Sequence, residues 1–371
     1  MMAKKTAKHK TSGKKTGKSK KNKKFWKRFF TGFFVFVGLC LLVAFVIGHK
    51  YYKYIYVKNV DLGNKSEMYV YIPTNSNFED VKKILYIPKL IIDTNSFEWL
   101  CEKKGYTLNV HSGRYLLKNN MSNNELINML RSGNQKPVKL TFNNVRTKDQ
   151  FISKVSKLIE ADSVSLTKLL NDASFLEKYG LTTENVMCIF IPNTYEIFWD
   201  TPAEKFFLKM HDEYEKFWNK SRKDKAAAIG LSANEAVILA SIVYQETKKK
   251  DEMSKVAGVY INRINRHIPL QADPTVIFAI GDFTIKRVLT AQTQFDSPYN
   301  TYKYAGLPPG PICLPEGYVV DKVLDYEKHD YLYFCAKEDL SGYHSFAETA
   351  AQHIQNAQRY HAALNRLKIK K

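Results

Sequence analysis

The chain has 371 residues, with 57 Lys or Arg against 36 Asp or Glu and a formal net charge of +21. That length can bury a core without disulfide staples, and a 44% hydrophobic share excludes a wholly disordered polymer. The charge is uneven: residues 1–28 hold 13 basic side chains and no acid, which leaves +8 for the other 343 residues.

Residues 1–28 are low in complexity and are expected to form a disordered basic tail. Such a tail suggests nucleic acid, but the next stretch argues for a membrane. Residues 29–48, FFTGFFVFVGLCLLVAFVIG, run for 20 positions without a charge. At ~1.5 Å per residue this spans a hydrocarbon core of ~30 Å. Phe25 and Trp26 flank one edge, and Tyr51, Tyr52 and Tyr54 the other, as an interfacial aromatic belt does. A cleaved signal peptide has a shorter apolar core and a small-residue cleavage site, whereas HKYYKYIY follows here. The reading is a retained single-pass anchor with the lysine tail in the cytoplasm and residues beyond 50 outside it. The tail then holds topology and meets anionic lipid, and nucleic acid is not an expected partner.

No P-loop, G-x-G-x-x-G or H-E-x-x-H pattern is present, so nucleotide and zincin chemistry are not expected. Cys40 lies in the apolar run. Cys101, Cys188, Cys313 and Cys335 fit no zinc spacing, and free buried thiols are the default for them.

Residues 57–140 alternate short strand and helix signals. Residues 68–72 and 113–117 read as strands; 77–84, 96–103 and 122–130 read as helices. This is a small α+β module without a catalytic constellation. Residues 140–230 are mostly helical, with amphipathic segments at 147–159 and 165–170. The segment I-P-N-T-Y-E-I-F-W at 191–199 breaks that pattern, and its aromatics suit either a core or a sugar-stacking platform.

Residues 232–250, SANEAVILASIVYQETKKK, read as one helix. Ser232 and Glu235 form a capping box, and Lys248, Lys249 and Lys250 suit the negative end of the helix dipole. Glu246 follows Val243, Ile242 and Leu239 by three, four and seven residues, so it ends their apolar stripe. A carboxyl there is desolvated, holds its proton to higher pH and can act as a general acid. A solvated glutamate at a helix end is the plainer alternative.

A second helix is expected over 251–267, with Met253, Val256, Ala257, Tyr260, Ile261 and Ile264 on its apolar face. In L-Q-A-D-P-T, Asp273 reads as an N-cap with Pro274 at the first helical position and Gly281 past the end. Y-N-T-Y at 299–302 precedes G-L-P-P-G-P-I at 306–312, a stiff loop able to line a polar cleft. Residues 330–337 read as a strand, G-Y-H-S-F at 342–346 follows, and a final helix is expected over 346–367.

The succession A-S-I-V-Y-Q-E-T, V-Y-I-N-R, L-Q-A-D-P-T, Y-N-T-Y, G-L-P-P-G-P-I, Y-L-Y-F and G-x-H-x-F resembles the endolytic peptidoglycan transglycosylases of the MltG, or YceG-like, type. S-G-R-Y at 112–115 and I-P-N-T-Y at 191–195 are weaker echoes. The resemblance implies an anchor, a LysM-like α+β module at 57–140, and a larger helix-rich α+β catalytic domain at 141–368. It implies Glu246 as the catalytic acid. Gln271, Asp273, Asn300 and Tyr302 are the expected sugar contacts, Tyr195 stacks on a ring, and His344 binds substrate or closes a turn. No metal or cofactor is implied. The implied partners are peptidoglycan strands, the cytoplasmic membrane and, by analogy, penicillin-binding synthases. Two positions depart from the pattern: Tyr244 stands where many members have a second acid, and Asn193 where an aspartate is usual. A muramidase-type hydrolase and a non-catalytic wall-binding protein are the alternatives.

Overall fold

The computed structural model describes residues 1–3, 6–9, 19–143 and 145–366. It is mixed α+β and helix-rich. Helix α1 (Ser19–Tyr56) contains the one described helix long and apolar enough to cross a membrane, with its apolar side chains uncovered. An anchor and a signal sequence both have this form. Residues 19–28, expected to be disordered, are helical: lysine is a good helix former, and a helix once nucleated extends at little cost. Residues 4, 5 and 10–18 of the expected tail lie outside the described residues.

The chain divides into two compact units. The first comprises 1–70, 76–111 and 115–134. Beyond α1 its elements are β1 (Glu67–Ile72), α2 (Phe78–Tyr86), α3 (Thr94–Lys103), β2 (Gly113–Lys118) and α4 (Asn123–Arg131), with β1 paired to β2. Asn77 and Ser122 build the capping boxes that start α2 and α4. Asn59 and Asn123 are buried and satisfy each other: Asn59 Nδ2 donates to Asn123 Oδ1 at 2.7 Å, and Asn123 Nδ2 to Ser96 Oγ at 2.9 Å.

The second unit comprises 71–75, 112–114 and 135–371, so it begins its long run at Gln135, earlier than the expected 141. The difference is β3 (Val138–Thr141), which pairs antiparallel with β4 (Thr194–Ile197). Its helices are α5 (Lys148–Val155), α6 (Ser163–Leu170), α7 (Ala173–Glu177), α8 (Ala203–Phe217), α9 (Lys220–Ala228), α10 (Ala233–Glu246), α11 (Met253–Asn265), α12 (Asp273–Ile280), α13 (Gly317–Leu324) and α14 (Ala350–Arg366). Strands β5 (Tyr333–Ala336) and β6 (His344–Ala347) form an antiparallel hairpin. The stretch expected to open the last helix at Phe346 is therefore strand, and α14 starts at Ala350. A β-branched or aromatic run paired to a neighbour favours strand, while the alanines that follow favour helix.

Helix α10 is the centre of this unit. Every residue from Ala236 to Val243 is buried, so the helix is covered on all sides rather than along one stripe. It packs on α9, α11, α12 and α13. The capping box of Ser232 and Glu235 is present. The helix stops at Glu246, with Thr247 extended, so Lys248, Lys249 and Lys250 lie beyond its end and not on its last turn.

The proline-rich loop is pinned to α10. Ser241 is buried; its Oγ donates to Ile238 O at 2.7 Å and accepts from the Ile312 backbone N–H at 3.0 Å. At Gly310 a Cβ would lie 2.0 Å from the Glu184 carbonyl oxygen, so only glycine fits that approach. Ser241→Ala orphans the Ile312 N–H and is expected to lower stability by about 1–3 kcal/mol in denaturant melts. Gly310→Ala is expected to destabilise by a similar amount through overpacking, ~1–3 kcal/mol. Unchanged midpoints for both variants would contradict the role given to this loop.

Candidate functional site

Glu246 is the last residue of α10, and the next helix supplies its partner. Tyr260 of α11 is buried, and its Oη donates to Glu246 Oε1 at 2.7 Å. Burial pushes the Glu246 carboxyl up to about 7 from 4.5; the Tyr260 hydrogen bond opposes that rise, and the charge of Asp273 adds to it. The same desolvation raises the Tyr260 phenol well above its ordinary value. Since Oε1 accepts from Tyr260, Oε2 is the oxygen left to carry an exchangeable proton.

Glu246 lines a cleft of about 400 Å³. Gln271, Asp273, Tyr302 and His344, all expected at the site, line the same cleft. Asp273 is not an N-cap: Ala272 holds the extended cap position, and Asp273 is the first residue of α12. Its carboxylate instead accepts from Tyr302 Oη at 2.5 Å. Burial raises its pKa, and that hydrogen bond works against the rise. Gly281 does end α12, in the left-handed conformation with φ +81°.

Two short motifs are welded together beneath Asp273 and Tyr302. Gln271 has φ +51°, a region that residues other than glycine rarely occupy. It is held there by a backbone bond from its N–H to Thr301 O at 3.0 Å. Ala272 N–H donates to Thr301 Oγ1 at 3.0 Å, and the hydroxyls of Thr275 and Thr301 lie 2.8 Å apart, both side chains buried.

Two expected contacts belong to the scaffold. Asn300 is 0% exposed, and its Nδ2 donates to Thr293 O and Phe295 O at 2.9 and 2.7 Å. It shapes the loop that presents Tyr302 and does not line the cleft. Tyr195 is 8% exposed, stacks on Phe142 with ring centroids 5.5 Å apart, and donates to Ile191 O at 2.6 Å. It is core, so it has no free face for a sugar ring. Asn193 caps its own turn, accepting from Thr194 N–H at 2.7 Å.

Residues missed in the sequence complete the walls: Tyr260, Arg263, Tyr333, Phe334, Cys335 and His353. Tyr260 among the apolar positions of α11 is a usable signal, because a buried phenol needs a partner. Arg263 is a positioning residue. Its Nε donates to Leu332 O at 2.7 Å and its Nη1 to Leu270 O at 2.7 Å. Asn262 beside it donates to His329 O and Tyr331 O at 2.6 and 3.0 Å. Together they fasten the approach to β5 onto α11. Gly258 permits this packing, since a Cβ there would meet Glu327 O at 2.4 Å. Among the described residues no group of three or more His, Cys, Asp or Glu is arranged to hold a metal ion. All five cysteines are free.

A half-buried acid with a raised pKa at the floor of an open polar cleft is suited to proton donation. Known proteins resemble the chain over most of its length. The endolytic murein transglycosylase of Streptococcus pneumoniae R6 is 28% identical over 367 residues, covering 89% of this chain and 66% of that protein. The chain thus spans just under two thirds of the pneumococcal relative. The endolytic murein transglycosylase of Bacillus subtilis 168 is 28% identical over 330 residues, covering 82% of this chain and 88% of that protein. A crystal structure of a YceG-like protein from Listeria monocytogenes superposes with a TM-score of 0.51 at 28% identity, covering 79% of this chain and 99% of that one. The YceG-like family model matches residues 70–359, and the chain belongs to that family.

Proposed function

We propose that this protein is a membrane-anchored endolytic murein transglycosylase in which Glu246 is the sole acid–base catalyst. The observation that carries the reading is the position of the Glu246 carboxyl in the cleft, held by Tyr260, where burial raises its pKa. Family membership and the names of the relatives support the substrate class, the glycan strands of peptidoglycan. In the proposed reaction Glu246 Oε2–H gives its proton to the oxygen joining N-acetylmuramic acid C1 to N-acetylglucosamine C4. The C1–O bond breaks as that proton arrives. The muramyl C6 hydroxyl then bonds to C1 and returns its proton to Glu246, leaving a 1,6-anhydro end. No water is consumed and the catalyst is restored. A single carboxyl suffices because the nucleophile is intramolecular, whereas hydrolytic glycosidases pair two carboxyls.

Asp273 lies in the same cleft and is electrostatically coupled to Glu246. That observation favours the second reading, a muramidase in which Asp273 activates water or C1. The two readings differ in product mass by one water. The α+β segment at 57–140 is proposed as a LysM-like glycan-binding module, and the apolar run of α1 as a retained single-pass anchor in the cytoplasmic membrane with the N-terminus inside. Penicillin-binding synthases are the proposed neighbours on nascent strands.

Mass spectrometry of products from purified glycan strands tests the chemistry. Anhydro ends are expected from the native chain, and Glu246→Gln is expected to lose 10²–10⁴-fold or more in rate, the usual contribution of a general acid. Reducing ends without anhydro ends would establish the hydrolase, and retained turnover in the variant would remove Glu246 from its role.

The pH dependence has a defined sign. The reactive form is protonated, so kcat/KM is expected to fall as pH rises through about 7. Tyr260→Phe removes the bond that lowers the Glu246 pKa, so its alkaline limb is expected at higher pH than that of the native chain. A limb that stays in place or moves down would contradict the contact.

The same shift affects stability. The folded pKa near 7 lies above the unfolded 4.5, so folding binds a proton and native stability declines as pH rises between those values. Glu246→Gln escapes that decline. Its melting temperature, relative to the native chain, is expected to rise from pH 4.5 to pH 8, by an amount equivalent to roughly 2–3 kcal/mol. A pH-independent difference would contradict the burial of an ionisable group at this position.

A further inference from the structure

His344 lines the cleft, and a buried acid that no motif contains holds it in place. Glu252 is 7% exposed and sits in the short connector between α10 and α11. Its Oε1 accepts from the His344 backbone N–H at 2.8 Å, and its Oε2 faces His344 Nδ1 at 2.7 Å. The Thr247 hydroxyl, on the residue after Glu246, reaches Glu252 Oε2 at 3.5 Å, and Lys249 N–H donates to Thr247 Oγ1 at 3.0 Å. One carboxylate therefore fixes both the start of β6 and the ring that β6 carries.

This arrangement determines which nitrogen is available. A carboxylate accepts only, so the imidazole Nδ1 must carry a hydrogen. In the neutral ring Nε2 is then a lone pair, and among the described residues it has no protein partner. His344 and Phe334 meet edge-to-face with ring centroids 5.2 Å apart, and Phe334 packs on Tyr260 at 5.8 Å. His344 is thus two ring contacts away from the phenol that holds Glu246, with an apolar ring between. Glu246, Tyr260, Phe334 and His344 all line the same cleft.

We infer that His344 Nε2 is a glycan-contacting acceptor for a sugar hydroxyl or acetamido N–H away from the cleaved bond, and that Glu252 is the positioning residue that fixes its tautomer. The inference rests on the transglycosylase reading for its ligand class, and it adds a binding role that Glu246 chemistry does not require.

The test uses the full chain carrying Glu246→Gln, which holds glycan without turning it over. The probe is a defined tetrasaccharide of alternating N-acetylglucosamine and N-acetylmuramic acid, titrated by calorimetry. Asparagine reproduces the Nδ1 side of histidine but has no counterpart to Nε2. His344→Asn is therefore expected to keep the Glu252 bond and the melting temperature while weakening tetrasaccharide binding about tenfold. With Glu246 restored, the same substitution is expected to raise KM about tenfold with a much smaller change in kcat. Glu252→Gln can turn an amide N–H, in place of an accepting oxygen, toward His344 Nδ1. It is expected to move the His344 hydrogen from Nδ1 to Nε2, visible in ¹⁵N NMR of the ring, with a comparable loss of affinity.

Undiminished tetrasaccharide binding by the His344→Asn protein overturns the inference and leaves the catalytic reading intact. So does an Nε2–H tautomer in the chain that retains Glu252. Failure of the Glu246→Gln parent to bind the tetrasaccharide at all overturns both readings.

Discussion

The hydrogen bond from Tyr260 to Glu246 is the constraint around which the second unit is arranged. Two opposing effects meet at that carboxyl. Removal from water favours the neutral acid, and the phenol favours the anion; burial is the larger, so the proton stays near neutrality. The balance depends on geometry, because a cleft slightly more open to water lets the group ionise as an ordinary glutamate does.

The surrounding contacts keep α10 and α11 where that balance holds. Ser241 ties the loop around Ile312 to the middle of α10, Gly258 lets the chain near Glu327 approach α11, and Asn262 and Arg263 grip the approach to β5. None of these is a large source of net stability, since a protein hydrogen bond exchanges for one with water and is worth about 1 kcal/mol. Their weight lies in what happens when one partner is lost: a buried donor left alone costs about 1–3 kcal/mol, so the chain has few other ways to fold at these positions. The short motifs around residues 271 and 301 are joined on the same principle, through paired threonine hydroxyls and a left-handed Gln271.

Local signals in the sequence located most elements. The capping box at Ser232 starts the helix it is expected to start, helices expected near Asn77 and Ser122 form there, and Gly281 ends the helix it is expected to end. Spacing marks Glu246 as the end of an apolar stripe and the family resemblance implies its role; it shares one cleft with four of the six other expected site residues. What was not legible depends on tertiary partners. Tyr195 and Asn300 look like ligand contacts because polar and aromatic groups serve both cores and sites, and only burial separates the two uses. Glu252 carries no local signature, since its significance comes from His344, 92 residues away in sequence. The lysines after Glu246 read as a helix end because charge suited the dipole, while the backbone had already turned extended at Thr247.

The protonation of a single carboxyl, Glu246, decides the chemistry of this cleft, and that state is directly observable. Carbon-13 NMR of chain carrying carboxyl-labelled glutamate, compared with the Glu246→Gln variant, isolates one resonance for titration. A midpoint near 7 for the resonance that the substitution removes is the expected result. A midpoint near 4.5 would show that the cleft does not hold a proton on Glu246, and the chemistry assigned to it would be contradicted.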